Sequence, residues 1–464
     1  MPRSIASDFI KYFIVLLFTL FCQLKSPVLA IEAVTLRKND KSSMTLSNAE
    51  FLVMANNPNL AYSKQSYKYN LMAYKEAKLR FLPTFSAFSN YAYTNNPVLV
   101  FSSLLMQQRF TTSNFGIHSL NNPNPINNFL SAIYTNVPVF SGLQLETGLA
   151  IARLNKEKQS FAQRLLEQQL RLNLIKEFYK VVLINNKLNL IDNSIEAAKI
   201  RLKKIKDLNS TGMVTHADVL TGQLELSKFK QAKIATNAEM AIAKARLAAL
   251  LGDMSFFDVA VIGDIESKDI KIENQQYYVD QAILNRPDYK MANTDIAIST
   301  QNVRNAFGKF LPKANFYAAG INSGNAVVNG GSSFLLGANV SIKVLDASLF
   351  ANEKKAKIAR QMAYEQYKQK KLDIYVEVVN AYSDYIASKE KLSVNLDSIE
   401  KARANLKIIQ DRYSVGLVGI SDLVAAQNYE LTTKVDYVTA LYENKINLAN
   451  LFYTCGILND TKMF

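Results

Sequence analysis

Only two histidines, His118 and His216, occur in 464 residues, and neither sits in an HExxH or a Cys/His spacing. That excludes the common zinc sites. No phosphate loop, no G-x-S-x-G elbow and no dinucleotide fingerprint is present either. The Asp and Glu residues are scattered along helix surfaces, where a solvated face is the default. No catalytic residue, metal or cofactor is therefore expected, and the chain does not read as an enzyme. Cysteine is limited to Cys22 and Cys455. Cys22 falls in the leader described below, and Phe21 before it is a poor fit to a lipoprotein signal. Cys455 then has no intrachain partner, and in its apolar helical end it reads as a small core residue. Proline (10) and glycine (16) are sparse, which permits long helices. No segment after residue 30 is long and apolar enough for a spanning helix.

What the chain does contain begins with an export signal over 1–30. Arg3 and Lys11 give a basic start, Tyr12 to Cys22 an apolar core too short to span, and Val28-Leu29-Ala30 a small-residue cleavage site. An exported chain without spanning helices either stays soluble or inserts as β-strands. Hydrophobic residues make up 49% of the chain, enough for a sizeable core. The formal charge is +15, of which the leader carries +2 and the remainder +13. Export and the lack of an aromatic-interleaved basic cluster argue against nucleic acid. The charge favours anionic surfaces or partners with low specificity.

The organising feature is an internal repeat. Asn57-Pro58 matches Arg286-Pro287, and Phe81-Leu82-Pro83 matches Phe310-Leu311-Pro312, both 229 residues apart. VPVFSG at 137–142 matches IKVLDA at 342–347, 205 apart. Gly212 and Gly416, Asp218 and Asp422, Gln223 and Gln427, and Gly252 and Gly456 all pair at 204. The drop in offset leaves the first repeat 24 residues longer between Pro83 and Pro138. Part of that excess, Gln107 to Asn128, is rich in Asn, Ser, Thr and Pro and predicts an extended loop. The boundaries expected are 31–252 for the first repeat, 253–275 for a linker, 276–456 for the second repeat and 457–464 for a tail.

Each repeat has one internal order. A helix of about 30 residues (Leu46 to Arg80, Tyr277 to Lys309) ends at Leu-Pro, where the ring forbids continuation. Period-two alternation follows: Phe334, Leu336, Ala338, Val340, Ile342 and Val344 are apolar, with mostly small or polar residues between. Phe85, Ala87, Tyr91 and Tyr93 give a weaker version. GNAVVNGG at 324–331 suits a turn between two strands. Then come runs without proline, 346–412 and 143–208, the second carrying only Gly148. At 1.5 Å per residue such a run reaches roughly 100 Å. A glycine turn and a return helix of about 35 residues complete the repeat. Val435, Val438, Tyr442, Ala449 and Phe452 give that helix a narrow coiled-coil-like seam.

Two strands per repeat make four per chain, too few to close a transmembrane barrel, which needs about eight. Open edges in lipid cost several kcal/mol per unpaired group, so membrane strands require several copies. Two copies would supply eight strands and three would supply twelve. Two other readings remain: a periplasmic adaptor, which would carry one hairpin and a compact β module, and a structural coiled-coil protein, which would lack the strand pairs.

The chain resembles the TolC family of outer-membrane efflux and secretion proteins. The resemblance rests on Leu46 with Asn57-Pro58, Asn285-Arg286-Pro287-Asp288, both Leu-Pro helix ends, Val137 to Gly142, Tyr413-Ser414-Val415-Gly416-Leu417 and Asp422-Leu423. It covers nearly all of the chain after the leader. It implies an α+β membrane protein of two structural repeats. Three copies would form a 12-stranded barrel in outer-membrane lipid and a 12-helix periplasmic tunnel. It also implies a passive exit duct for a tripartite efflux pump or type I secretion system, whose partners are a periplasmic adaptor and an inner-membrane transporter. Lys343 and Ala347 depart from the family's usual proline and glycine.

The glycine turns carry the candidate site. Gly212 and Gly416 suit left-handed helix ends, with Lys203, Lys204, Lys206 and Arg412 placed before them. Thr215 is expected to cap the return helix with Asp218 three residues on, and Ser421 to cap the second with Asp422 in its first turn. That local role, about 0.3–1 kcal/mol, accounts for the acids without any transport function. The resemblance implies a second role. Asp422 would form a ring of three at the periplasmic entrance, and Asp218 would hold it shut with Tyr413. The family's arginine at this lock is Val418 here, and its second acid is Ala425, so the lock and the charge ring are expected to be weaker. Gly212-Met213 and Gly416-Leu417 are the expected adaptor-contact tips.

Overall fold

The computed structural model describes residues 44–265, 272–462 and 464. The leader expected over 1–30 lies outside them. The order begins with helices α1 (Leu46–Asn56) and α2 (Pro58–Leu79), strand β1 (Thr84–Thr94), helices α3 (Pro97–Met106) and α4 (Ile117–Asn121) and strand β2 (Ile126–Phe140). Helices α5 (Gln144–Ser210) and α6 (His216–Leu251) follow. The second half runs α7 (Gln275–Asn285), α8 (Pro287–Gly308), β3 (Lys313–Ala326), β4 (Asn329–Ser341), α9 (Ala347–Ser414) and α10 (Ile420–Thr454). Apart from α3 and α4, the second half repeats the first. Two compact units form, each drawing on both halves: one of 72–153 with Ile298–Arg360, the other of 44–71 with Leu154–Ala297 and Gln361–Phe464. No described helix is long and apolar enough to cross a membrane.

Both long runs are single helices; Gly148 near the start of α5 does not break it, and open space stands where its Cβ would be, so packing does not demand glycine there. The first helix of each half is not continuous. It breaks at Asn57-Pro58 and at Arg286-Pro287, correcting the unbroken helices expected over 46–80 and 277–309. The proline ring forces its predecessor out of the helical region. Asn57 (φ −63°, ψ 123°) and Arg286 (φ −58°, ψ 123°) take nearly the same extended conformation. The proline then opens the next helix, where a missing N–H costs nothing.

Both breaks are anchored to a distant helix end. Asn57 Nδ2 donates to the Leu250 carbonyl at 2.9 Å, and Arg286 Nη1 donates to the Thr454 carbonyl at 3.2 Å. Leu250 and Thr454 each lie two residues before a helix-ending glycine, Gly252 (φ +82°) and Gly456 (φ +70°). A Cβ on Gly252 would sit 2.5 Å from the Asn56 carbonyl oxygen, and one on Gly456 would sit 2.9 Å from the Arg286 backbone. Only glycine fits between the two chain segments. Arg286 is also held by Asp288 (2.7 Å) and Glu377 (2.5 Å), and Lys370 reaches Asp288 at 2.8 Å. Burial opposes the charges of Arg286 and Asp288. Their mutual bonds outweigh it, raising the guanidinium and, together with Lys370, holding the carboxyl at about 2. Around these anchors the second unit buries Leu174, Ile175, Phe178, Leu183 and Ile184 of α5 with Ile374 and Val378 of α9, Leu251 and Leu451. Cys455 is buried there as a free thiol, and burial pushes it up to about 12.

The first unit contains one antiparallel sheet of order β1-β2-β3-β4. Register gives its faces unlike character. Phe85, Tyr91, Phe129, Ile133, Phe316, Phe334, Leu336 and Val340 share one face; Ser86, Asn90, Asn128, Asn136, Asn315, Ser323, Ser333 and Asn339 share the other, interspersed with Phe88, Leu130, Tyr134, Tyr317 and Leu335. The first face is apolar yet exposed at Phe85, Phe334, Leu336 and Val340. β4 stops at Ser341, so Ile342 and Val344, expected as strand, lie beyond it. The turn between β3 and β4 is only Val327-Val328, with a register shift at Gly324/Ala326. The extended loop expected over Gln107 to Asn128 is not one: it contains a 3-10 turn, α4 and the first residues of β2.

Candidate gate at the paired helical turns

α5 and α9 end in the same way. The Gly212 N–H donates to the Asn209 carbonyl (3.0 Å) and the Met213 N–H to Leu208 (3.0 Å); Gly416 donates to Tyr413 (3.1 Å) and Leu417 to Arg412 (2.9 Å). With φ of +77° and +76° at the glycines, this is the paired 5→2 and 6→1 closure that satisfies orphan carbonyls. The residue after the glycine commonly packs back on its helix. Here Met213 is 75% exposed and Leu417 74% exposed, so each apolar side chain projects from its turn. Arg412 lies in the last turn of α9, but α5 runs on to Ser210, leaving Lys203, Lys204 and Lys206 short of its last turn.

The return helices start on the aspartates. Asp218 Oδ2 accepts from the Thr215 N–H and hydroxyl, both at 2.8 Å, while Thr215 Oγ1 accepts the Asp218 N–H at 3.3 Å. That is the expected reciprocal cap. In the second turn Gly419, not Ser421, is the capping residue, because α10 begins at Ile420. Asp422, exposed, accepts a single 3.3 Å bond from the Gly419 N–H. Its carboxylate is the less committed of the two.

The turns are joined by a small apolar cluster of Ile205, Val219, Ile420 and Leu423, with Val214, Leu406 and Tyr413 against it. Tyr413 is half-buried. Burial and then the Asp218 charge raise its hydroxyl, and Arg201 opposes them. Among the described residues no hydrogen bond joins Tyr413 to Asp218: within one chain the expected pair are neighbours, not partners.

Arg201 and Glu225 escaped the sequence reading. Arg201 Nη1 donates to both Glu225 oxygens, at 2.7 and 2.5 Å, and the Glu225 side chain is 2% exposed. The signal was present, since each lies 12 residues from Met213 and so faces the other across a helical hairpin. The equivalent positions of the second hairpin, 204 residues on, are Asn405 and Tyr429. Close approach supports the pair: a Cβ on Gly222 would meet Leu202 and Ile205 at 3.2 and 3.3 Å. The arrangement has no nucleophile–base pair, and no group of metal-binding side chains occurs among the described residues. What it offers is a pair of packed turns, one pinned by a buried ion pair, with two carboxylates at their helix starts.

Residues 278–456 match the sequence model of the outer membrane efflux protein family. The protein CyaE of Bordetella pertussis is 24% identical over 233 residues, a match spanning 49% of this chain and 49% of that relative, about half its length. Solved structures share the fold at low identity. The CmeC outer membrane channel of Campylobacter jejuni gives a TM-score of 0.77 at 13% identity, covering 89% of this chain and 85% of the other. VceC of Vibrio cholerae gives 0.73 at 12% identity, covering 89% and 96%. The open-state MtrE channel of Neisseria gonorrhoeae gives 0.69 at 13%, covering 89% and 88%. The second repeat thus resembles the outer membrane efflux protein family in sequence, and the fold is that of the solved outer membrane channels along almost all of the described chain.

Proposed function

We propose that this chain is the outer-membrane exit duct of a tripartite export system, a homotrimer gated at its paired helical turns. The observation that carries the reading is the four-stranded sheet, whose outer strands β1 and β4 each keep one unpaired edge. Unpaired edges are tolerated neither in lipid nor as a long exposed template. In an up-down order of four, β4 of one copy runs antiparallel to β1 of the next, so any number of copies can close. Two copies give eight strands, an interior that side chains fill; three give twelve and leave a lumen. The apolar face of the sheet then meets lipid and the Asn/Ser-rich face lines the lumen.

The two repeats would be the functional halves, 31–252 and 276–456, joined by the 253–275 linker. The helical turns would stand in the periplasm as the gate. Asp422 from three copies would form an acidic ring, and Asp218 with Tyr413 would meet across copies, since they do not bond within one. The projecting Met213 and Leu417 would enter a periplasmic adaptor that couples the duct to an inner-membrane transporter. The match of the second repeat to outer membrane efflux proteins supports a pump; the same duct would serve type I secretion.

Membrane fractionation tests the core of the reading: a heat-sensitive oligomer in the outer membrane is expected, and a soluble monomer alone would reject it. Asp422→Ala should lower cation selectivity in planar bilayers; unchanged selectivity would leave Asp422 a helix-start residue only. Replacing Met213 and Leu417 together by Asp should abolish export with the oligomer intact.

A further inference from the structure

The insertion that lengthens the first repeat is more than a loop. It carries α3, whose sequence PVLVFSSLLM holds no charge. Asn96 caps it, accepting the Val98 and Leu99 N–H groups, and Pro97 opens it. Its end is fastened across the sheet. The Gln107 side-chain amide donates to the Asn127 carbonyl and to Asn128 Oδ1, both at 2.9 Å, and Ser323 donates to that same Asn128 oxygen at 2.7 Å. A Cβ on Gly331 would lie 2.3 Å from the Met106 carbonyl oxygen. Asn128, Ser323 and Gly331 all point to the polar face of the sheet. α3 therefore lies over that face at the hairpin end, reaching past β2 to β3 and β4. Gln108 closes it at φ +56°, a conformation costly for a residue with a side chain.

Docking buries Val100 and Ser103, yet Val98 stays 75% exposed and Leu99 52% exposed, with Leu105 also exposed. An uncharged helix on the polar side of a sheet, showing its aliphatic residues away from that sheet, is unpartnered within one chain. A 12-stranded barrel supplies the partner. Strands about 4.8 Å apart and tilted about 40° put its wall about 12 Å from the axis. A helix is about 10–12 Å across its side chains. One laid against that wall reaches the axis.

We propose that α3 is an apolar plug: in the trimer the three α3 helices meet on the axis and close the hairpin-side mouth through Val98, Leu99 and Leu105. The occupant of the exposed face is thus a second and a third copy of this chain. Such a collar blocks ions by excluding water, a barrier independent of charge. The inference rests on the trimeric duct of the proposed function.

Disulfide trapping in outer membranes tests it on the full chain. Leu99→Cys, with Leu105→Cys as a second variant, should give copper-phenanthroline cross-linked species that survive heating and vanish with reductant. Cys455 is fully buried and does not compete. Leu336→Cys on the apolar face should give none. A heat-sensitive oligomer whose α3 cysteines never cross-link overturns the plug. Absence of that oligomer from the parent protein instead overturns the trimeric duct. Val98→Asn with Leu99→Asn should raise single-channel conductance at least about twofold by wetting the collar; unchanged conductance shows that the helices do not seal the mouth.

Discussion

Replacing Arg201 by alanine leaves Glu225 buried without its cation. The carboxylate side chain is only 2% exposed and loses both charge-assisted bonds at once. Breaking a buried pair from one side costs about 3–5 kcal/mol, because the remaining charge has no compensation. At about 1.4 kcal/mol per tenfold, local opening of the first hairpin tip should rise roughly 150- to 5,000-fold. The assay is amide hydrogen exchange by mass spectrometry on the intact protein, read over 202–208 and 219–226. Protection there should fall by that factor, with the α9–α10 tip changed far less, since Asn405 and Tyr429 stand where the pair would be. Glu225→Gln should cost less, because Arg201 is the more exposed partner at 12% and can turn to water. Methionine at both positions should return protection to near the parental level, as apolar replacement of buried pairs often does. Protection within tenfold of the parent in Arg201→Ala, or a double methionine variant as loose as the single alanine, would refute the pinning role.

The helix-ending glycines should separate by surroundings. Gly252→Ala meets a carbonyl as well as a positive φ and should lower thermal stability clearly more than Gly212→Ala, which meets only the φ cost of about 1–2 kcal/mol. Asp288 has a pH signature in thermal or denaturant unfolding. Its carboxyl is held at about 2 against an ordinary 3.8, so its contribution is complete above pH 4 and disappears as pH falls towards 2; Asp288→Asn should flatten that decline. Pro287→Ala should let α7 and α8 straighten and weaken the Arg286–Thr454 contact, seen as lost exchange protection near Gly456.

The long helices, the four strands and the glycine turns were legible because their signals are local: missing prolines, period-two alternation, and glycine where φ is positive. The breaks at Asn57 and Arg286 were visible as X-Pro pairs but were outweighed by the helical pattern on either side. Ser421 illustrates another limit. Serine is the better capping residue by type, yet the chain starts α10 one residue before it, where Ile420 is buried beside Leu423. The Arg201–Glu225 pair needed the hairpin geometry first, since neither residue belongs to a repeated motif. The insertion read as a loop because its Asn and Pro content dominates after Gln107, while the apolar stretch before it carries no helical periodicity to detect.

The contacts of Gly252 with Asn56 and of Gly456 with Arg286 have an evolutionary corollary. In each half the last helix is fastened to the first, so head and tail of the unit are already adjacent. A segment built this way can be copied in tandem with only a short connector, because each copy closes its own first helix on its own last one. Drift after such a duplication is then free to exchange an asparagine for an arginine at the clasp, as 57 and 286 record, so long as the glycine opposite keeps its place.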